Sequence, residues 1–216
     1  HVTKAFLQRV EGFEPSAGFF AVFARLDDAC PESDLGSTIS SYFPEVDFNR
    51  MMSPEYSGDQ ALVLIKNTEA VKGRPVRVIH ALELSYPEHV ARWQDSTVGH
   101  RPQDYQDYKK DRIDRICKRI ARYQPGYTGH FQVLDAASLL TFRDYLHSPE
   151  GAAYGIKQKR SQFNLFGKLP LRNLYAAGQS SFLPGLVGTM MSAFIVCRSM
   201  IGREAFDEKV RKQLCR

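Results

Sequence analysis

The spacing of apolar residues changes once along the chain, at Pro87, and this limits the fold more than any other feature. Before it, apolar and aromatic residues fall in runs of strand length: Phe19 to Leu26, Ala61 to Ile65 and Val76 to Leu84, with Thr38 to Phe43 a further short candidate. The run ending at Ile65 and the run starting at Val76 flank Asn67 to Pro75. There Lys72-Gly73-Arg74-Pro75 supplies turn chemistry, so the pair reads as an antiparallel hairpin with a longish loop. Val76, Val78, His80, Leu82 and Leu84 share one face of the last run, and Arg77, Ile79, Ala81 and Glu83 the other. The His80 face is the more apolar.

After Pro87, a short turn of helix leads through His89 to Gln94. A long helix then runs from about Gln103 to Tyr123, where Tyr105, Tyr108, Ile113, Ile116, Cys117, Ile120 and Ala121 form a stripe suited to packing on a sheet. Pro125-Gly126 ends it. Phe131 to Leu134 reads as a strand, Leu139 to Leu146 as a short helix, and Ser148-Pro149-Glu150-Gly151 as the turn that closes it. The fold class is therefore α/β, an antiparallel or mixed sheet with covering helices.

At 216 residues, 43% hydrophobic and 25% charged, the chain can bury one sizeable core or two small ones. The net charge of +5 arises mainly between Lys109 and Arg122, where Asp111 and Asp114 interrupt the cations. That is the composition of a solvated helix face, and no nucleic-acid partner is expected. Cys30, Cys117, Cys197 and Cys215 are widely spread, without a C-x-x-C pair or a His at zinc spacing, so neither disulfides nor a metal site is expected. A reducing, cytoplasmic location follows, with peripheral membrane contact. Trp93, beside Arg92, is one place for such contact, although packing on the sheet suits it better. The uncharged run Phe182 to Cys197 contains Pro184 and two glycines. It is shorter than the roughly 18 to 20 residues that span a bilayer and is expected as a buried helix. The chain opens on His1 without a secretory signal, so the gene product is expected to begin upstream.

The most informative stretch is Asn173-Leu174-Tyr175-Ala176-Ala177-Gly178-Gln179, continued by Ser180-Ser181-Phe182-Leu183-Pro184-Gly185-Leu186-Val187-Gly188-Thr189-Met190-Met191-Ser192-Ala193. It reads as a buried strand ending at Gly178, a loop of small residues, and a helix opening near Pro184-Gly185. A helix start offers unpaired N–H groups and the positive end of the macrodipole, suited to a pyrophosphate or to the negative charge of a reduced flavin. The same residues would serve equally in a tightly packed strand-loop-helix corner.

This run, with Gly-Gln-x-x-Phe-x-x-Gly-Leu-Val-Gly at its centre, resembles the C-terminal FAD-contacting motif of the phytoene desaturase and retinol saturase family, and is closer to the retinol saturase form. Upstream, Leu140-Thr141-Phe142-Arg143-Asp144-Tyr145 and Ser148-Pro149-Glu150-Gly151-Ala152-Ala153-Tyr154-Gly155 resemble the segment that precedes that motif in the family. The resemblance implies FAD as cofactor. It places Gly178 and Gln179 near the pyrophosphate and ribityl chain, and Gly185, Leu186, Val187, Gly188 and Thr189 against the isoalloxazine. Tyr154 and Gly155 would line the flavin or substrate cavity, although a buried Tyr with a satisfied hydroxyl is the blander reading. Ala193 stands where many relatives carry Gly. No G-x-G-x-x-G follows a strand anywhere in the chain, so the site for the ADP half of FAD is missing from it.

No catalytic acid or base is assigned, because hydride transfer is the chemistry of the flavin itself. His80 reads as a core histidine, and His89, His100, His130 and His147 have no partner at a meaningful spacing. The expected organisation is a substrate-binding portion over residues 1–137 and the C-terminal strand and helix of a Rossmann-like FAD-binding domain over 138–216. The expected function is that of the C-terminal portion of an FAD-dependent oxidoreductase. It would act on C–C or C=C bonds of an apolar isoprenoid, carotenoid or retinoid-like substrate. A non-catalytic binding or interaction module and an amine-oxidase-like flavoenzyme are the alternatives. A strand such as Leu174 to Ala177 wants neighbours on both sides, so apolar surface around Phe182 to Ile195 is expected either exposed or buried in a homodimer.

Overall fold

The computed structural model describes residues 2–31, 38–160, 162, 165 and 167–214; Cys215 lies outside them. The chain forms two compact units, Ala17–Gly151 and the pair of segments His1–Ser16 and Ala152–Arg216.

The first unit is a five-stranded antiparallel sheet with helices, of which α2 (Phe48–Met51) comes first in the chain; α1 (Lys4–Glu11) belongs to the second unit. Its strands are β1 (Gly18–Leu26), β2 (Ile39–Tyr42), β3 (Leu62–Val71), β4 (Arg74–Ser85) and β5 (Phe131–Ala137), in the order β2-β3-β4-β1-β5. The class expected from the alternating runs is the class found. Alternation fixes the register. Phe20 faces Glu83, Val22 faces Ala81 and Ala24 faces Ile79, while Leu62 and Leu64 continue the same face on β3. The helix α3 (Gln103–Tyr123) covers that face, packing Ile116 and Ile120 on Phe20, Val22, Leu26, Leu64, Ile79 and Ala81, all of them buried.

Two readings of β4 change here. The hairpin loop is not long: the ladder runs to Val71 opposite Arg74, leaving Lys72 and Gly73, both at positive φ, as the turn. Strand pairing is a backbone property and continues through the polar residues 66–75 after the apolar pattern has stopped. The face under α3 is also not the more apolar one. It carries Glu83, only 5% exposed, because Arg112 and Arg119 of α3 reach its carboxylate. Val78, His80 and Leu82 lie on the other face and are half-buried, with His80 edge-on to Phe23 at 5.4 Å.

Trp93 is packed, not presented. It is 4% exposed, lies edge-on to Tyr105 at 5.4 Å, and donates its indole N–H to Asp104 at 2.9 Å. The helix α4 (Leu139–Leu146) starts on Ser138, whose hydroxyl accepts the Leu140 N–H, and ends at His147 in the left-handed region. No helix of the described residues is long and apolar enough to cross a membrane.

Candidate functional site

The second unit holds the run from Asn173 to Ala193. Its strands β6 (Gly167–Lys168) and β7 (Tyr175–Ala176) pair antiparallel, and α5 spans Gly185–Ile201. The expected strand at 173–178 is thus shorter than its apolar run. It is half-buried, and among the described residues it has a neighbour on one side only.

Two buried hydroxyls hold strand, loop and helix together. The Gly178 N–H donates to Ser192 Oγ on α5 at 2.7 Å, and that hydroxyl donates to the Thr189 carbonyl at 2.6 Å. Ser181 Oγ donates to the Ala176 carbonyl at 3.0 Å, and its N–H to the Gly178 carbonyl at 3.1 Å. Ser192 is 1% exposed and Ser181 3% exposed. Neither serine stood out in the sequence. The available signal was its place: Ser192 sits four residues after Gly188, on the same side of the helix. Ser192→Ala is expected to destabilise this corner by roughly 1–2 kcal/mol, because it leaves the Gly178 N–H without its acceptor. Faster amide exchange at Gly178 would show it, with exchange in residues 17–151 unchanged.

Close approach explains two glycines. A Cβ on Gly188 would lie 2.2 Å from the Leu183 carbonyl oxygen, so the first turn of α5 is packed directly on the loop backbone. A Cβ on Gly155 would lie 1.9 Å from Ser180 Oγ, and Gly155 has φ +68°. The Tyr154-Gly155 segment is thereby brought against the Gly178–Ser181 loop, a juxtaposition not visible in the spacing. On its other side this segment is tied to the chain's start. The Ser16 N–H donates to the Gly155 carbonyl at 2.8 Å, and the Tyr154 N–H donates to Ser16 Oγ at 3.0 Å. Below them Glu14 pairs with Lys159. The hydrogen bond and charge of Lys159 hold the Glu14 carboxyl below its usual range.

The helix start is open. Pro184 caps α5 without a side-chain hydrogen bond, and Leu186, Val187 and Thr189 are exposed beside it, Leu186 to 78% and Val187 to 73%. Among the described residues, and apart from the adjoining backbone, no atom lies within 4 Å of a Cβ built on Gly178 or on Gly185, and Gln179 is half-buried between them in sequence. An uncapped helix N-terminus beside two open glycines leaves backbone donors and a flat approach. Both fit the pyrophosphate-to-ring part of a flavin nucleotide.

The apolar run 182–197, expected as a buried helix, is not buried among the described residues; the exposed apolar surface expected around Phe182 to Ile195 is what is found. Leu183, Leu186, Val187, Met190 and Met191 are all at least 45% exposed, while the buried residues of α5 are Gly188 and Ser192. In the other unit, two histidines have partners that spacing could not show. His130 Nδ1 lies 2.9 Å from Asp27 Oδ1, and His89 Nδ1 lies 3.2 Å from Ser85 Oγ. Burial pushes the His89 imidazole below its ordinary range, and Arg112 adds to the effect.

Comparison with known proteins returns one kind of relative. The chain is 30% identical over 122 residues to the all-trans-retinol 13,14-reductase of Macaca fascicularis, covering 54% of this chain and 20% of that protein. It is 28% identical over 133 residues to the human protein of that name, covering 56% of this chain and 22% of the relative. With the Danio rerio protein it shares 24% over 206 residues, covering 84% of this chain and 33% of the relative. The aligned part spans a fifth to a third of these relatives' lengths. No family model and no solved structure matches the chain. The similarity is therefore to retinol saturases, at low identity, and loosely supports the family resemblance of the motif.

Proposed function

We propose that this chain is the C-terminal portion of an FAD-dependent oxidoreductase that acts on C–C or C=C bonds of an apolar, retinoid-like substrate. The observation that carries this reading is the α5 N-terminus, uncapped, open, and fixed to the 178–184 loop through Gly188 and Ser192. The relatives' name, a retinol reductase, supplies the substrate class.

In this reading Gly178 and Gln179 face the pyrophosphate and ribityl chain. The N–H groups from Gly185 to Thr189 face the ring edge that gains negative charge on reduction, where a helix dipole is favourable. When bound, the flavin accepts or delivers the hydride, and the chain orients it and excludes water. Tyr154 and Gly155, held against the loop by Ser16 and Ser180, border the same corner. In the other unit, the sheet face opposite α3 offers Phe23, Val63, Ile65, Val78 and Leu82, all half-buried, as a surface suited to an apolar chain. The exposed flank of α5 is where the isolated chain would self-associate.

The visible absorption spectrum tests this. A gene product extended upstream is expected to purify with a flavin spectrum, and the 216-residue chain without one. Absence of flavin from both, even after FAD is added, would leave a binding module as the better reading.

A further inference from the structure

His80 sits at the centre of the sheet face turned away from α3. Across the ladder it stands between Phe23 on β1 and Ile65 on β3, and along β4 it lies between Val78 and Leu82. Leu82 in turn faces Ala21 and Val63. Apart from buried Ala21, these side chains are half-buried, as is His80 itself. In one direction the face passes to Leu84, 7% exposed, and in the other to the exposed Arg25 and Asn67, which flank Val78. Starting from Leu84, His80 is the first polar side chain that β1, β3 and β4 present on this side.

Its ring is not satisfied by the fold. The imidazole meets Phe23 edge-on at 5.4 Å, and among the described residues neither ring nitrogen has a hydrogen-bond partner. His130 and His89, by contrast, are held by Asp27 and Ser85. The core histidine expected from the sequence would have its nitrogens paired, because a polar group that leaves water unpartnered is destabilising. A neutral imidazole carries one donor and one acceptor, and an alcohol hydroxyl both accepts and donates, so a hydroxyl satisfies either nitrogen in either tautomer. A charged head group would enter apolar surroundings at a cost that a neutral hydroxyl avoids.

We propose that His80 hydrogen-bonds the hydroxyl of an alcohol substrate whose apolar chain lies along β4 toward Leu84, and so selects alcohols over the corresponding hydrocarbons. Four residues of strand separate the two positions, about 13 Å of apolar surface. The inference rests on the redox reading for the apolar chain, and adds the group which that chain carries and the residue that recognises it. A site built to hydrogen-bond a hydroxyl discriminates against the analogue lacking it, because its own polar group is then left unpaired.

Ligand titration of the upstream-extended protein tests it. The two probes are all-trans-retinol and the hydrocarbon that ends in a methyl group where retinol ends in a primary alcohol; both carry the same fluorescent polyene. The wild type is expected to prefer the alcohol. His80→Phe should weaken binding of the alcohol roughly three- to ten-fold and leave the hydrocarbon unchanged or tighter. His80→Gln, which keeps a donor and an acceptor, should recover part of the preference. The readout is the ratio of the two affinities, so a variant that merely loosens the fold weakens both alike. An equal loss for both ligands in H80F, or no change in either, would overturn the inference. So would a wild type that binds neither or prefers neither, and so would tighter binding of the corresponding carboxylic acid through His80. The flavin spectrum of the same preparations reports on the redox reading separately. An alcohol preference set by His80 in a protein without flavin would sink that reading and leave this site standing, and flavin retained with no effect of H80F would do the reverse.

Discussion

Arg119→Met is expected to lower the unfolding free energy of the sheet unit by roughly 3–5 kcal/mol, as when one partner of a buried ion pair is removed. Arg119 is 4% exposed in its side chain, places Nη1 2.6 Å from Glu83 Oε1, and donates Nη2 to the Gln60 carbonyl at 2.6 Å. Methionine fills the space but leaves the Gln60 carbonyl and half of the Glu83 carboxylate without a donor. Arg112 still pairs with the other carboxylate oxygen, so the loss should not extend to unfolding of the unit at neutral pH.

The pH dependence of that deficit has a definite sign. Burial pushes the Glu83 carboxyl above its ordinary value, and Arg112 and Arg119 oppose the shift. A group whose folded-state pKa is raised contributes stability that is present below its unfolded value and lost as pH rises through the folded one. Removing Arg119 takes away one opposing charge and raises the folded value further. The deficit of R119M should therefore be smaller near about pH 5 than near about pH 8. Urea unfolding of both proteins at the two pH values would measure it. E83Q added to R119M should recover part of the loss at the higher pH and flatten its pH dependence. A deficit equal at both pH values and untouched by E83Q would mean that packing, not charge, is what Arg119 supplies.

This buried triad also marks where the sequence stopped being legible. Periodicity located the elements whose residues pack. Leu139 to Leu146 and Gln103 to Tyr123 were read at the bounds found, and Phe19 to Leu26 lacks only Gly18 of β1. It failed where polar residues take part in regular structure. The hairpin arm from Lys66 to Val76 has no apolar alternation, and Glu83 made the buried face of β4 look like the wet one. A signal was nevertheless present, since Arg112, Ile116, Arg119 and Ile120 recur at helical spacing and put two cations on the apolar stripe. In the candidate site the motif gave the segment and the start of α5 at Gly185. The contact of Gly155 with Ser180 and the anchoring of Gly178 by Ser192 are tertiary, and no local pattern encodes them.

Gly188→Val should have the largest effect on that site. A Cβ at Gly188 would meet the Leu183 carbonyl oxygen at 2.2 Å and its carbonyl carbon at 2.6 Å, and these are backbone atoms that cannot rotate away. The first turn of α5 and the loop at Leu183 must separate, at a cost of about 1–3 kcal/mol or more. Ser192 lies one turn further along the helix, so its hydrogen bond to the Gly178 N–H should be strained as well. In the upstream-extended protein, flavin content is then expected to drop more than ten-fold, since a displacement worth 1.4 kcal/mol of binding already costs a factor of ten. G188A, with less to accommodate, should fall between. The effect should stay local: exchange protection in residues 17–151 should match the wild type, in contrast to R119M. If G188V retained full flavin content while exchange at Gly178 rose, the corner would be a packing device and the flavin contact would lie elsewhere. If neither changed, the close approach itself would be refuted. Loss of both together is the result that joins the packing of Gly188 to the cofactor role assigned to the α5 N-terminus.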